Sequence, residues 1–343
     1  MRVLLTGGAG YIGSHVAREL ARCGFAVRIY DNLSTGHRRF TNGFELVVGD
    51  IQDQAKLTAA LGGCDAVMHF AADICVAESI ENPRKYFHNN SMGALTLLDA
   101  TLDAGIRRFV FSSTAAVYGM PSTIPIPEDA TRKPVNPYGA SKLFVEHALE
   151  AYSRAYGLRY SSLRYFNAAG ADANGDIGEL HEPETHLIPS ILLVAAGMRS
   201  PLRIFGNDYR TPDGTCIRDY IHVNDLASGH VAALRYLVAG GESTALNLGS
   251  GRGYSVQEII SSTEAITGRR LIKEFLPRRS GDPPILVADS SRARQMLAWT
   301  PTRPLEEIIS SAWNWVRRTQ AEATPCPGID GAPNCEASPA NRG

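Results

Sequence analysis

The chain begins Met1-Arg2-Val3-Leu4-Leu5-Thr6-Gly7-Gly8-Ala9-Gly10-Tyr11-Ile12-Gly13. Arg2–Thr6 is a short apolar run that stops at glycine, the pattern of a buried strand. Gly7, Gly10 and Gly13 then recur at every third position, and a helical pattern runs from Tyr11 to Cys23. Glycines at such a turn let the backbone reverse tightly, approach a bound group and pack the helix on the sheet. The helix N-terminus offers free N–H groups and a positive dipole end, which suit phosphate. A glycine turn alone needs no ligand. Its place between a strand and an amphipathic helix makes it a dinucleotide loop.

Outward from this loop, short apolar runs alternate with helical patterns. Strands are predicted at Arg2–Thr6, Ala26–Asp31, Glu45–Val48, Ala66–Phe70, Arg108–Ser113 and Tyr160–Arg164, with helices such as Ala94–Ala104 between them. That alternation predicts an α/β fold, a Rossmann-type doubly wound parallel sheet. After Arg164 the pattern loosens. Ala168–Thr185 reads as irregular loop, and helices are predicted at Leu187–Gly197, Val256–Thr267, Ser290–Leu297 and Leu305–Thr319. Strands are predicted at Leu202–Phe205, Thr244–Leu248 and Leu286–Ala288, and Ile221–Leu237 reads as a strand end followed by a helix. The expected organisation is a dinucleotide-binding domain over 1–167 to which 221–250 returns, and a smaller mixed α/β substrate domain over 168–220 and 251–321. From 322 to 343 the chain is Pro, Gly, Ala and polar residues, a composition expected to stay disordered.

Asp31 ends the second strand, 18 residues beyond Gly13. A carboxylate there accepts hydrogen bonds from the adenosine ribose and repels a 2′-phosphate, so NAD is the expected cofactor. Asp50-Ile51 follows the third strand, where it suits the adenine or a helix N-cap.

A second constellation is Tyr138-Gly139-Ala140-Ser141-Lys142. Asn136-Pro137 reads as N-cap and first helical position, and Gly157 as the stop. Tyr138 and Lys142 are i and i+4, hence on one face. A free tyrosine with pKa near 10 is a poor base at neutral pH. A neighbouring ammonium and a positive nicotinamide both favour the phenolate, so a lowered pKa is expected. Tyr-x-x-x-Lys alone is common on ordinary amphipathic helices. Ser112-Ser113-Thr114, ending the strand before it, adds hydroxyls at the sheet edge where ligands of such folds bind.

Composition sets the limits. Hydrophobic residues make up 44% and charged residues 20%, with net charge −1. Nothing there draws the protein to nucleic acid or an anionic membrane. No apolar run reaches the roughly 20 residues a membrane-spanning helix needs. Met1 runs straight into a strand without a signal-peptide pattern. The six cysteines are scattered without C-x-x-C, so free thiols, a cytoplasmic location and no metal site are expected.

With these motifs the chain resembles the extended short-chain dehydrogenase/reductase superfamily. Within it, Leu163-Arg164-Tyr165-Phe166-Asn167, Ile204-Phe205-Gly206-Asn207-Asp208-Tyr209, Asp213–Val223 and Pro277-Arg278-Arg279-Ser280-Gly281-Asp282 resemble the UDP-glucose 4-epimerase family. The resemblance covers Met1 to about Trp315. It implies reversible epimerisation at C4 of UDP-galactose and UDP-glucose through a 4-keto intermediate, with NAD retained and a homodimeric assembly.

The same resemblance assigns roles. Tyr138 is the base for the sugar 4-hydroxyl, Lys142 bonds the nicotinamide ribose, and Thr114 lies near O4. Gly7, Gly10, Tyr11, Ile12, Gly13, Asp31, Asn32, Asp50, Ile51, Phe70, Ala71, Ala72, Asn90, Ser112 and Phe166 surround the cofactor. Asn167 and Leu187 contact the nucleotide sugar, and Arg203, Ile204 and Phe205 hold the uracil region by backbone and packing. Arg218 and Arg279 take the diphosphate, as suits a guanidinium fork, and Asp282 the uridine ribose. Leu286 stands where space around the sugar's 2-substituent is set, with a size that leaves N-acetylated sugars open. Two departures stand out. Ile74 replaces a lysine found in some members, and Thr185-His186 replaces paired asparagines, which leaves the nucleotide contact of His186 open. His222 is expected to be structural.

Other readings are a 4-epimerase of another UDP-sugar (N-acetylhexosamine, pentose or uronic acid), a nucleotide-sugar dehydratase, or a non-catalytic NAD sensor. Ala115 and Ala116 after Thr114 cannot transfer the protons a dehydratase needs, and a sensor has no use for the complete Tyr138, Lys142 and Thr114 set.

Overall fold

The computed structural model describes residues 1–279 and 281–323. Thirteen strands occur in them. They are β1 (Arg2–Thr6), β2 (Ala26–Asp31), β3 (Glu45–Val48), β4 (Ala66–His69), β5 (Arg108–Thr114), β6 (Arg159–Tyr165), β7 (Asn167–Ala169), β8 (Leu202–Phe205), β9 (Ile217–His222), β10 (Thr244–Leu248), β11 (Gly253–Ser255), β12 (Lys273–Leu276) and β13 (Ile285–Leu286).

The main sheet has seven strands in the order β10-β6-β5-β4-β1-β2-β3, and all its pairings are parallel. This is the Rossmann-type doubly wound sheet. Its strand order reverses between β1 and β4, and the cleft outside their C-terminal ends is where ligands of open α/β sheets bind. Leu4, Leu5, Tyr30, Phe109 and Phe111 are fully buried between covering helices. Each such side chain contributes roughly 1.5–3 kcal/mol of burial.

The chain leaves this sheet after β6, crosses to a second lobe and comes back. Helix Val223–Val238 then lies against helix Tyr11–Arg22, and β10 pairs with β6. The second lobe holds a small sheet of β11-β9-β13 with β7 on β9, and the pair β12-β8. Its own core packs Ile188, Ile191, Leu192, Ile259, Ile260, Ile308 and Ile309.

Several boundaries differ from the sequence reading. β5 extends through Thr114, because that residue still pairs with Tyr165. The predicted strand Leu286–Ala288 is two residues of β13 plus an isolated bridge from Ala288 to Ile126. Asp50 is not a helix N-cap; Asp53 is, accepting from the Lys56 N–H. The last helix runs Leu305–Ala323, beyond the predicted end at Thr319. The rest of the expected tail lies outside the described residues. Among the described residues no helix is long and apolar enough to cross a membrane.

Candidate active site

The glycine loop is shaped by contacts that leave no room for side chains. Gly7 has φ +72°, and a Cβ on it would meet the Ala71 nitrogen at 2.5 Å. A Cβ on Gly13 would meet the Gly7 carbonyl oxygen at 2.2 Å. β1 and the segment after β4 therefore touch through bare backbone at the topological switch. Gly10 caps the following helix without a side chain. The N–H groups of Tyr11, Ile12 and Gly13 lie in its first turn, which a helix cannot satisfy internally, and free N–H groups of this kind suit an anion. The Tyr11 phenol is directed elsewhere and donates to the Gly170 carbonyl at 2.7 Å.

Asp31 stands beside this loop. Its Oδ2 accepts from Ala9 N at 2.9 Å and its Oδ1 from Leu33 N at 2.8 Å. Burial raises its carboxyl despite those bonds. Asn32 donates to Asp50 Oδ2 at 3.0 Å, joining the ends of β2 and β3 on the expected adenosine side. Ile51 belongs to the core, close under Gly93. Backbone forced bare at Gly7 and Gly13, a free helix start and a carboxylate at the end of β2 fit a dinucleotide.

The Tyr138 helix is built as its sequence prescribes. Asn136 accepts from Gly139 N at 2.8 Å, Pro137 opens Pro137–Tyr156, and Gly157 stops it at φ +69°. One turn apart, Tyr138 and Lys142 face β5. The Thr114 hydroxyl accepts from Ala116 N at 3.2 Å and stands near enough to the Tyr138 phenol to favour its ionised form. Lys142 Nζ donates to the Ser112 carbonyl at 2.9 Å and lies over the Phe111 ring. Burial lowers Lys142 to about 7. The expected lowering of Tyr138 is not met in the protein alone: burial raises its pKa, and only Thr114 acts against that. Burial also lowers Lys142, so the ammonium that would favour the phenolate is itself disfavoured.

The three hydroxyls of β5 are divided among different partners. Thr114 accepts from Ala116 N at 3.2 Å beside Tyr138, Ser112 pairs with the Tyr165 hydroxyl, and Ser113 donates to Glu146 at 2.6 Å. Glu146 sits one turn beyond Lys142 and takes both arms of the Arg164 fork, at 2.8 and 2.6 Å. Burial opposes its charge, but Arg164 outweighs it and holds the carboxyl below its usual range. This ion pair fixes the helix to β6. Sequence reasoning missed both Tyr165 and the pair; Glu146, eight residues after Tyr138 on the same face, was the available signal.

Other predicted residues fall at varied distances from this chemistry. Phe70 follows β4 and packs on His230, with ring centroids 5.0 Å apart, and Ala71 and Ala72 follow it. Asn90 is fully engaged: it accepts from Asp73 N and donates to Asp73 O and Ser141 Oγ. It therefore ties the segment after β4 to the Tyr138 helix. Phe166 and Leu286 each pack against the buried cluster of Ala115, Val117, Tyr118, Ile126 and Leu143 that follows Thr114.

On the second lobe, Arg218 pairs with Asp282. Arg279 lies over the Phe205 ring at 4.0 Å. Arg203 is exposed, 3.7 Å from Glu274, while Ile204 is buried in the lobe's core. Asn167 pairs in register with Tyr220, and Leu187 opens its helix. His222 caps helix Val223–Val238 by accepting from Asn224 N, as a structural residue would.

His186, whose nucleotide contact was left open, lies beside two carboxylates, with its Nδ1 2.6 Å from Glu179 and 3.4 Å from Glu184. The spacing Glu179-Leu180-His181-Glu182-Pro183-Glu184-Thr185-His186 was the missed signal.

A bare-backbone glycine loop and a Tyr–Lys pair with Lys142 buried, on opposite sides of the switch point of one doubly wound sheet, make up a candidate active site of the α/β oxidoreductase type. Residues 3–249 match the NAD dependent epimerase/dehydratase family, and the chain belongs to that family. Its relatives there are UDP-glucose 4-epimerases. The protein of that name from Rhizobium leguminosarum bv. trifolii is 50% identical over 91% of this chain and 96% of its own. The Brucella ovis enzyme, solved in complex with NAD, is 50% identical with TM-score 0.89 over 91% of this chain and 97% of its own. The Stenotrophomonas maltophila enzyme, solved with bound NAD and formylated UDP-arabinopyranose, is 41% identical with TM-score 0.92 over 94% and 100%.

Proposed function

We propose that the protein interconverts UDP-galactose and UDP-glucose by NAD-dependent epimerisation at C4, through a 4-keto intermediate. The observation that carries this is the placing of Tyr138 beside Thr114 at the C-terminal end of β5, with Lys142 one helical turn behind it and bonded to the Ser112 carbonyl. When bound, NAD takes a hydride from the sugar carbon and returns it.

The chain's own groups do the rest. Tyr138 holds and moves the proton of the sugar O4, and Thr114 keeps the phenol aimed. Burial alone keeps Tyr138 protonated, so its proton step draws on positive charge brought to the site. Lys142, lowered to about 7, acquires its full charge only when a nearby partner stabilises it. The first turn at Tyr11, Ile12 and Gly13 holds the cofactor's phosphates and Asp31 its ribose.

Arg218 and Arg279 grip the substrate diphosphate, and Asp282 its ribose. Placing binding energy on UDP, away from the sugar, leaves the keto sugar free to turn. Leu286, packed on the same buried cluster as Phe166, sets room at the sugar's 2-position. The sugar-nucleotide held by the Stenotrophomonas relative favours a second reading in which other UDP-sugars are accepted. The protein works in the cytoplasm as a homodimer through helices Gly93–Asp103 and Pro137–Tyr156. These helices touch each other, and Phe144 on the second is exposed. Sedimentation at a monomer's mass would remove the dimer.

The test is proton NMR of the purified protein with UDP-galactose and no added NAD. Conversion to a mixture with UDP-glucose supports the proposal. No conversion even after NAD is supplied overturns it.

A further inference from the structure

Four side chains converge outside the cleft chemistry just described. Glu179, His181, Glu184 and His186 each direct one ligand atom to a common point, and those atoms all lie within 4.8 Å of one another. Both carboxylates are more than nine-tenths buried. The histidine Nδ1 atoms are buried too, and neither has a hydrogen-bond partner. Yet His181 Nδ1 is 3.3 Å from Glu179 and 3.9 Å from Glu184, and His186 Nδ1 is 2.6 and 3.4 Å from the same two. Ring nitrogens this close to carboxylate oxygens, without hydrogen-bond alignment, need a positive charge between them, either a proton on the ring or a cation held by all four groups.

We propose that Glu179, His181, Glu184 and His186 bind one divalent transition-metal ion of the zinc type. Zinc takes histidine nitrogen and carboxylate oxygen at about 2.0 Å in a tetrahedron, which sets neighbouring ligand atoms about 3.3 Å apart. The measured separations bracket that value. Two carboxylates with two neutral imidazoles carry two negative charges, which a dication cancels. Two nitrogen ligands select against magnesium and calcium, which prefer all-oxygen shells.

The surroundings hold the ligands in place, as an outer shell does. Trp315 Nε1 donates to the Glu179 carbonyl at 2.7 Å, and His186 N donates to Glu184 Oε1 at 2.7 Å. His37 Nε2 contacts the Leu180 carbonyl at 3.1 Å. The ion's task is structural. It pins the loop between β7 and helix Leu187–Ala195 against the dinucleotide side, where Tyr11 donates to Gly170.

The test uses the full-length protein, dialysed against a chelator and then given one equivalent of zinc or of magnesium. After desalting, about one zinc per chain should remain and no magnesium, and the melting temperature should rise by several degrees with zinc alone. Cobalt in place of zinc should give the intense visible bands of a four-coordinate ion, a readout independent of any variant. His181→Ala and His186→Ala should each lose the metal. The proposal is overturned if zinc washes out, if cobalt shows only a pale six-coordinate spectrum, or if folded variants keep the metal. A melting temperature that follows pH and ignores zinc also overturns it, since a proton would then be the bridging charge.

Discussion

Lys142 donates its ammonium hydrogen to the carbonyl of Ser112 at 2.9 Å, so the Tyr138 helix is docked on the strand that ends in Thr114. Because β5 and the helix are locked at this point, the Tyr138 phenol is held beside the Thr114 hydroxyl. Preorganisation of this kind removes reorientation from the chemical step.

Tyr138→Phe should lower kcat by about 10²- to 10⁴-fold, the usual share of a general acid–base group. Dinucleotide content after purification should be unchanged. NMR turnover and the ultraviolet spectrum of the released cofactor check both halves. A variant with near wild-type kcat would remove Tyr138 from the proton step.

Arg164→Met should destabilise the fold by roughly 3–5 kcal/mol, because Glu146 would be left charged and buried. Both side chains of the pair are only 2% exposed. Denaturant unfolding measures this. Replacing both residues with apolar ones of similar volume should cost less than Arg164→Met alone.

Gly13→Ala should abolish dinucleotide retention, since its Cβ would sit 2.2 Å from the Gly7 carbonyl oxygen. The helix start must shift to accommodate it. Cofactor content per chain is the readout, and a stoichiometric complex would contradict the phosphate site proposed above.

Acid should weaken the fold before most carboxylates titrate. Burial lowers His15 and His230 to about 4, and His69 and His222 to about 3. Unfolded, each has its ordinary pKa near 6.5. Between those values the unfolded chain binds more protons than the native one, so stability is lost as pH falls below about 6.5. Melting temperature should fall as the pH drops from about 6.5. His230→Gln should lessen that slope, and a flat profile to pH 5 would show that these rings are accessible.

The first lobe was legible because its signals are local. Glycines at every third position, an Asn-Pro helix start at 136–137 and a Gly stop at 157 fix backbone conformations that no tertiary contact reverses. Tyr138, Lys142 and Thr114 come together as their spacing on helix and strand predicts. What was not legible depends on which partner a polar group meets. Asn90 spends its amide on Asp73 and Ser141, and Lys142 spends its charge on a carbonyl. The unexpected rise of Tyr138 follows from burial. The Glu–His cluster was visible as spacing, but only the packing of its loop shows that the four side chains point inward.

The return of the chain to its first sheet sets an order of events during synthesis. The hydrophobic interior begun by Val3 and Leu5 is completed by Leu246 and Leu248, and then by Ala293 and Trp299. A nascent chain emerging from the ribosome must therefore carry an unfinished N-terminal sheet, with helix Tyr11–Arg22 lacking its cover, until most of the polypeptide has been made. Chains stalled before Thr244 should be cut readily by protease, whereas those carried past Trp299 should resist. For this architecture, folding one lobe at a time is closed off by the path of the backbone itself.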